Sequence, residues 1–381
     1  MRELEILQPL STATFTTNGY GSVVTRAVAE RAFRVADGLV DGSELFPILW
    51  GLWITTHFSS ATDRAVELGD RLLVIAEDEG DDELRMQAHH ALWTTLIQVP
   101  AYPRAIEHLG EGANLYRPEW HERHCAVFGG HDPGSCAQRA LVLTLWATGH
   151  PDQAVAAGEE AVRLAQDDAF SVMTARLALA FVHRERGDLE ATEREAEALI
   201  ALAREWGLPA NIDWASILVA WARGRRGSID AAIAEIADRL GMKDPGYLAM
   251  LVELLLLDGR TVEGLALVDD LLVVVDEKDH RQYEAELHRL RGELLLLTAS
   301  SEADRAEAEH AMGRAASVAA AQGAVSFELR ARMSLVRFHE GTDRADQTIR
   351  ELRDTYERFD EGFTTEDLIA ARALIEAPTP Q

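Results

Sequence analysis

The sequence predicts an all-α protein, a tetratricopeptide-like solenoid of helical hairpins wound as a right-handed superhelix. Three observations carry that expectation. Strand signals are nearly absent, with no run of alternating β-branched residues bounded by hairpin turns, while segments of helical periodicity follow one another almost without pause. Gly149, Gly187, Gly227 and Gly259 each separate two such segments, as a helix C-terminus requiring left-handed backbone would. These turns recur at a near-constant pitch.

Five residues after each of these glycines stands Ala154, Thr192, Ala232 or Gly264, and nine after stands Gly158, Ala196, Ile236 or Val268. Mostly small side chains at both places let the second helix of a hairpin lie close to the first. The same frame anchors at Ser60, Pro100, Ser301 and Gly341. A step of about 40 residues holding two helices is a helical-hairpin repeat somewhat longer than the minimal tetratricopeptide unit, and about eight hairpins should stack with a concave inner face. Start signals agree. Asp132-Pro133 and Asp244-Pro245 place a capping carboxylate before a first-turn proline, and Ser301 to Asp304 and Thr364 to Asp367 read as capping boxes. Residues 1–20, Thr- and Ser-rich and weakly periodic, read as an N-terminal extension, 21–375 as the solenoid, and 376–381 as a disordered tail.

Composition narrows the function classes. With 64 acidic against 37 basic residues the formal charge is −27, a field that repels phosphate backbones and anionic membrane surfaces. Neither nucleic acid nor membrane is an expected partner. Two cysteines make no disulfide framework, and no secretory leader or membrane-length apolar run is present, so the expected setting is the cytoplasm.

Several stretches resemble a known family. Residues 283–296 (YEAELHRLRGELLL), 326–332 (SFELRAR) and 361–368 (EGFTTEDL), with 45–53 (LFPILWGLW), 130–134 (GHDPG) and 149–154 (GHPDQA) upstream, look like the C-terminal repeat region of bacterial multidomain regulators. In those proteins an adenylate/guanylate cyclase or DNA-binding domain precedes a signal-transducing P-loop ATPase and then tetratricopeptide repeats. The resemblance spans roughly residues 20–375. It implies the scaffold or sensor part of such a regulator, with an ATPase, nucleotide cyclase or transcription regulator as partner. No Gly-x-x-x-x-Gly-Lys-Ser/Thr loop occurs, so the family's catalytic labels do not transfer and the chain reads as no enzyme.

The candidate sites follow from the repeat frame. Trp50, Trp53, Trp93, Trp146, Trp214 and Trp221 recur on the first helices, where they either line a concave groove for a protein segment or a small ligand, or fill the core. An insertion at 117–136 breaks the pitch and brings His121, His124, His131 and Cys136 together in sequence, a ligand set that could hold zinc, or else a packed connector. His121 and His124 are one residue too close for the His-Glu-x-x-His zinc pattern. His89 and His90, being adjacent, point about 100° apart on a helix and should not act together. Glu253, Asp269 and Asp270 interrupt apolar helices, which a solvated polar stripe explains most simply. The leading expectation is a protein-binding scaffold suited to a basic or amphipathic partner; the alternatives are a ligand sensor controlling an ATPase or cyclase, and a metal-dependent enzyme using the insertion.

Overall fold

The computed structural model describes residues 3–18, 21–59, 61–128, 133–165, 169–207, 210–239 and 244–377, and among them no strand occurs. The helices run α1 Leu4–Asn18, α2 Val23–Ala36, α3 Gly42–His57, α4 Thr62–Glu79, α5 Asp82–Gln98, α6 Tyr102–Leu115, α7 His121–Val127, α8 Pro133–Ala147, α9 Pro151–Leu164 and α10 Ala169–Glu185. They continue as α11 Leu189–Glu205, α12 Ala210–Arg225, α13 Ile229–Ala237, α14 Pro245–Leu257, α15 Thr261–Lys278, α16 Glu284–Thr298, α17 Glu302–Gln322, α18 Val325–Phe338, α19 Ala345–Tyr356 and α20 Glu366–Glu376. Every turn anticipated from the sequence falls between the two helices of one hairpin: 60 between α3 and α4, 100 between α5 and α6, 149 between α8 and α9, and so on to 341 between α18 and α19. Ser60 itself lies outside the described residues, as do 378–381 of the anticipated tail. The weakly periodic residues 1–20 contain α1, whose Leu4 and Leu7 are buried with Ala32, Ala36, Leu45 and Ile48.

The chain divides into two compact units. Residues Met1–Leu141 with Glu160–Val172 form the first, and Val142–Glu159 with Met173–Gln381 the second. In the first unit the core gathers Phe46, Leu49, Trp50, Trp53, Leu72 and Phe128, and beside it Leu92, Trp93, Leu96, Ala105 and Leu109. Aromatic side chains of this size supply much of the apolar area that drives folding.

In the second unit the repeat chemistry is visible residue by residue. Gly149, Gly187, Gly227 and Gly259 all have positive φ, between 74° and 113°, where a side chain would be strained. Ala154, Thr192, Ala196, Ile236 and Val268 are fully buried. The tightest approach differs from the one expected. A Cβ on Gly264 of α15 would stand 2.8 Å from Leu294 of α16, and one on Gly158 of α9 would stand 2.9 Å from Leu179 of α10. Small residues on the second helix thus admit the first helix of the next hairpin. A substitution that fills such a gap forces a shift of packed neighbours.

Capping is only partly as anticipated. Asp244 accepts from the backbone N–H of Gly246 and Tyr247 at 2.9 and 3.2 Å, and Ser301 and Asp304 form a complete capping box. Asp132 lies outside the described residues. At α20 the N-cap is Thr365 without a side-chain cap bond, and Asp367 bonds Arg330 instead of closing a capping box.

The two ends of the second unit meet. Glu361, between α19 and α20, accepts from the backbone N–H of Asp152 and Gln153 in the first turn of α9 at 2.8 and 2.9 Å. Gly362 N–H donates to Asp152, Arg186 pairs with the same carboxylate at 2.7 Å, and the Glu366 N–H donates to the Arg186 carbonyl. A carboxylate at a helix N-terminus satisfies free donors and opposes the positive end of the dipole. Deeper in, Ser326 donates to the Trp146 carbonyl at 2.5 Å.

Two glycines separate close packing from helix propensity. A Cβ at Gly292 of α16 would meet Met312 Cγ at 2.6 Å and the Ala308 carbonyl at 3.0 Å, whereas one at Gly313 of α17 would meet nothing within 4 Å. In urea denaturation Gly292→Ala is expected to destabilise by about 1–3 kcal/mol, and Gly313→Ala to stabilise by roughly 0.5–1 kcal/mol.

Candidate functional site

The first helices of the second unit bring their charged residues to one cavity of about 250 Å³. From α10 come Arg184 and Glu185, from α12 Trp221 and Arg225, and from α14 Glu253 with Leu256 and Leu257. From α16 come Glu286, Arg289 and Glu293, from α18 Arg330, Met333 and Arg337, and from α20 Glu366, Asp367 and Ala370. On α16 and α18 the contributors recur at three- and seven-residue offsets, which keeps them on one helix face.

Most of these charges are desolvated and paired. Arg184 donates to Glu185 at 2.5 Å and to Glu253 at 2.7 Å, with side chains 2%, 0% and 18% exposed. Arg225 reaches the other Glu253 oxygen at 2.8 Å, and the Trp221 indole N–H donates to the same carboxylate at 3.1 Å. Trp221 also holds the Arg184 and Arg225 guanidiniums over its ring at 5.1 and 5.3 Å from the centroid, an attraction that strengthens where water is excluded. Arg289 grips Glu286 through two nitrogens, at 2.9 and 2.7 Å, and Glu293 through a third. Arg330 bonds Asp367, the Glu185 carboxylate and the Glu185 carbonyl at 2.7, 2.9 and 2.9 Å. The Tyr283 hydroxyl, from the short 3₁₀ turn before α16, donates to Glu185 at 2.8 Å.

The electrostatics follow from this pairing. Burial alone would raise the pKa of Glu286, but Arg289, by charge and hydrogen bond, and then Arg330 hold it down to about 2. Burial would likewise lower Arg330, and Asp367, Glu185 and Glu286 turn its shift upward. Tyr283 is raised, first by burial and then by Glu185, so it stays a neutral donor. The cavity floor is therefore a fixed array of ionised groups. It can present oriented charges to a docked group.

The residues singled out from sequence are placed differently. Trp50, Trp53 and Trp93 are 0% exposed and Trp146 4%, so they have no free face to line a groove. Trp50 and Trp53 pack edge to face at 5.2 Å in the first unit's core, Trp93 stacks on His90, and Trp146 meets Phe327 at 4.9 Å while carrying Arg330 over its ring. Trp214 is half-buried, 4.3 Å from Tyr247. Only Trp221 of the six stands among the residues that line the cavity. The physical reason is that a tryptophan at hairpin spacing finds more apolar area between helices than on an open face.

In the insertion, His124 is buried, its Nε2 2.7 Å from Glu83 and its Nδ1 2.7 Å from Gln87. Gln87 continues to His90 at 3.2 Å, and His90 Nε2 lies 3.4 Å from the Cys136 sulfur. His124 and Cys136 thus belong to one buried polar chain, with Glu83 and Gln87 each 2.7 Å from a His124 nitrogen. His121 begins α7, and His131 lies outside the described residues. Among the described residues no three His, Cys, Asp or Glu side chains group as metal ligands. His89 turns the other way from His90, its Nδ1 3.0 Å from that of His108, and burial followed by His108 lowers its pKa to about 4. Glu253, which reads as a stripe residue, is a centre of the charged array; Asp269 pairs with Arg291 at 2.8 Å on an exposed face. Sequence reasoning missed the array because it followed the residues after each repeat glycine, while Trp221 and Glu253 stand at the same position before successive ones, Gly227 and Gly259.

No family model matches the chain. An uncharacterised protein of Rhizobium meliloti is 25% identical over 336 residues, and the chain spans 32% of that relative's length, the match covering 84% of this chain. Among solved structures, the Rap conjugation gene regulator of plasmid pLS20 in complex with the Phr* peptide superposes with a TM-score of 0.57 at 10% identity, over 93% of this chain and 94% of that one. A Rap protein complexed with competence and sporulation factor gives 0.51 at 12% identity, over 87% and 97%. The likeness is one of fold, a tetratricopeptide-like helical repeat. No described helix is long and apolar enough to cross a membrane.

Two outcomes test the charged array. Arg330→Met removes one partner from two buried carboxylates, Glu185 and Glu286, and from the partly exposed Asp367, and should destabilise the protein by about 3–5 kcal/mol in chemical denaturation. In acid, the depressed pKa of Glu286 contributes stability that is complete above the unfolded value near 4.5 and lost as pH falls toward 2. His89 acts in a higher window: its folded pKa lies below the ordinary 6.5, so the unfolded chain takes the proton first and stability declines from pH 6.5 toward 4. His108, His183, His280 and His288 are lowered too, so replacing His89 by Phe should reduce but not abolish the slope of a melting-temperature–pH profile between pH 6.5 and 4.

Proposed function

We propose that the chain is a non-catalytic protein-binding scaffold and that the inner face of its second unit receives a segment of a partner protein. The observation that carries this reading is the convergence of α10, α12, α14, α16 and α18, the first helices of five successive hairpins, on one cavity whose floor is a preorganised lattice of charged donors and acceptors. Rigid, pre-paired groups lose little freedom when a partner docks, which favours recognition. At about 250 Å³ the cavity falls below the roughly 300–1,000 Å³ of pockets that enclose a drug-sized ligand. It suits one or two side chains of an extended segment better than a whole metabolite, which weighs against the small-ligand sensor. The fold likeness to Rap structures in complex with a peptide or a signalling factor supports the same direction. An ATPase, a nucleotide cyclase or a transcription regulator is the partner that the sequence resemblance points to.

Leu257 provides the test, because it lines the cavity yet is 58% exposed and so can be enlarged without disturbing the core. A partner retained by the tagged chain from its native lysate should cross-link to the second unit near Leu257, and Leu257→Trp should abolish its retention. Retention untouched by Leu257→Trp, with cross-links elsewhere, would overturn the reading.

A further inference from the structure

The array is not evenly satisfied, and the imbalance states what it would bind. The central carboxylates accept from several donors: buried Glu185 from Arg184, Arg330 and Tyr283, and half-buried Glu253 from Arg184, Arg225 and Trp221. A carboxylate accepts only and a guanidinium donates only, so an unused guanidinium donor calls for an acceptor. Arg184 Nε, on a side chain 2% exposed, has no hydrogen-bond partner. Arg337, exposed at the cavity, has no ion pair among the described residues.

The chain also supplies an example of an occupant. Glu366 and Asp367, adjacent at the start of α20, reach across the cavity to Arg225 and Arg330 at 2.8 and 2.7 Å. Asp367 gives up the local capping role the sequence gives it, and Glu366 remains 53% exposed where it pairs with Arg225. Resting on the reading of this cavity as a docking site, we infer that it recognises an acidic segment of a partner protein, two neighbouring carboxylates that bond Arg337 and compete with Glu366 for Arg225. This reverses the preference for a basic partner that the net charge of −27 suggests. The field of the whole chain opposes an acidic segment at long range and is screened beyond about 8–10 Å in physiological salt, whereas the desolvated contacts at the cavity are not.

The experiment is fluorescence anisotropy of the full chain with three labelled peptides of one backbone, carrying a central Glu-Asp, Gln-Asn or Lys-Arg pair. The Glu-Asp peptide should bind at least about tenfold tighter than the other two. Arg337→Glu should remove that advantage, and Glu366→Gln, which frees Arg225 without touching the buried lattice, should strengthen binding about three- to tenfold. Unchanged melting curves for both variants exclude unfolding as the cause. Equal binding of the three peptides, or tighter binding of Lys-Arg, overturns the acidic preference and leaves the scaffold standing. Failure of all three to bind also overturns it; if a captured partner is still lost on Leu257→Trp the scaffold survives that failure, and if it is not, both readings fall together.

Discussion

Arg330 is the residue on which the second unit turns. Its guanidinium touches α10 through Glu185, α20 through Asp367 and the ring of Trp146 from α8, with Glu286 of α16 at 3.8 Å. A buried charge of this kind is tolerated only because every neighbour is bonded in turn; its worth is less in net stability than in permitting one arrangement of helices and not another. Hydrophobic packing between hairpins is forgiving of small rotations. Directional, charge-assisted arginine hydrogen bonds to several helices at once are not.

The repeat was legible in the sequence because it depends on backbone and volume, which local spacing reveals. A glycine that must take positive φ, followed at fixed distances by a small residue, is a statement about one hairpin, and the structure places each such turn between paired helices. The binding face was not legible for the complementary reason. Trp50, Trp53 and Trp93 have the same helical spacing whether they face a groove or a core, and only the position of the next hairpin decides. Arg184, Glu253 and Glu286 look like the solvated face of an amphipathic helix until the helices that bury them are in place. The insertion taught the same lesson: His124 is near Cys136 in sequence, yet the chain joining them passes through Gln87 and His90 of a different helix.

The short reading of Thr364 to Asp367 as a capping box shows how a local rule yields to a distant one. Asp367 could bond its own helix start, a contact worth about 1 kcal/mol. It bonds a desolvated guanidinium instead, where a charge-assisted hydrogen bond is worth more than a neutral one. α20 is therefore oriented by Arg330 and Arg225 as well as by Leu368 and Ala371, which pack with Leu329 and Leu352.

Glu361 resting on the first turn of α9 has a consequence for how this unit folds. An open array of repeats can begin anywhere and extend by nearest-neighbour steps, each closing a short loop. Here residues 152 and 361 must find one another across the intervening hairpins, a contact of the long sequence separation that slows folding. The same contact couples the ends: fraying at the C-terminus, harmless in a linear array, here uncaps a helix at the unit's beginning. The two ends of the second unit are thus linked by hydrogen bonds rather than each left free.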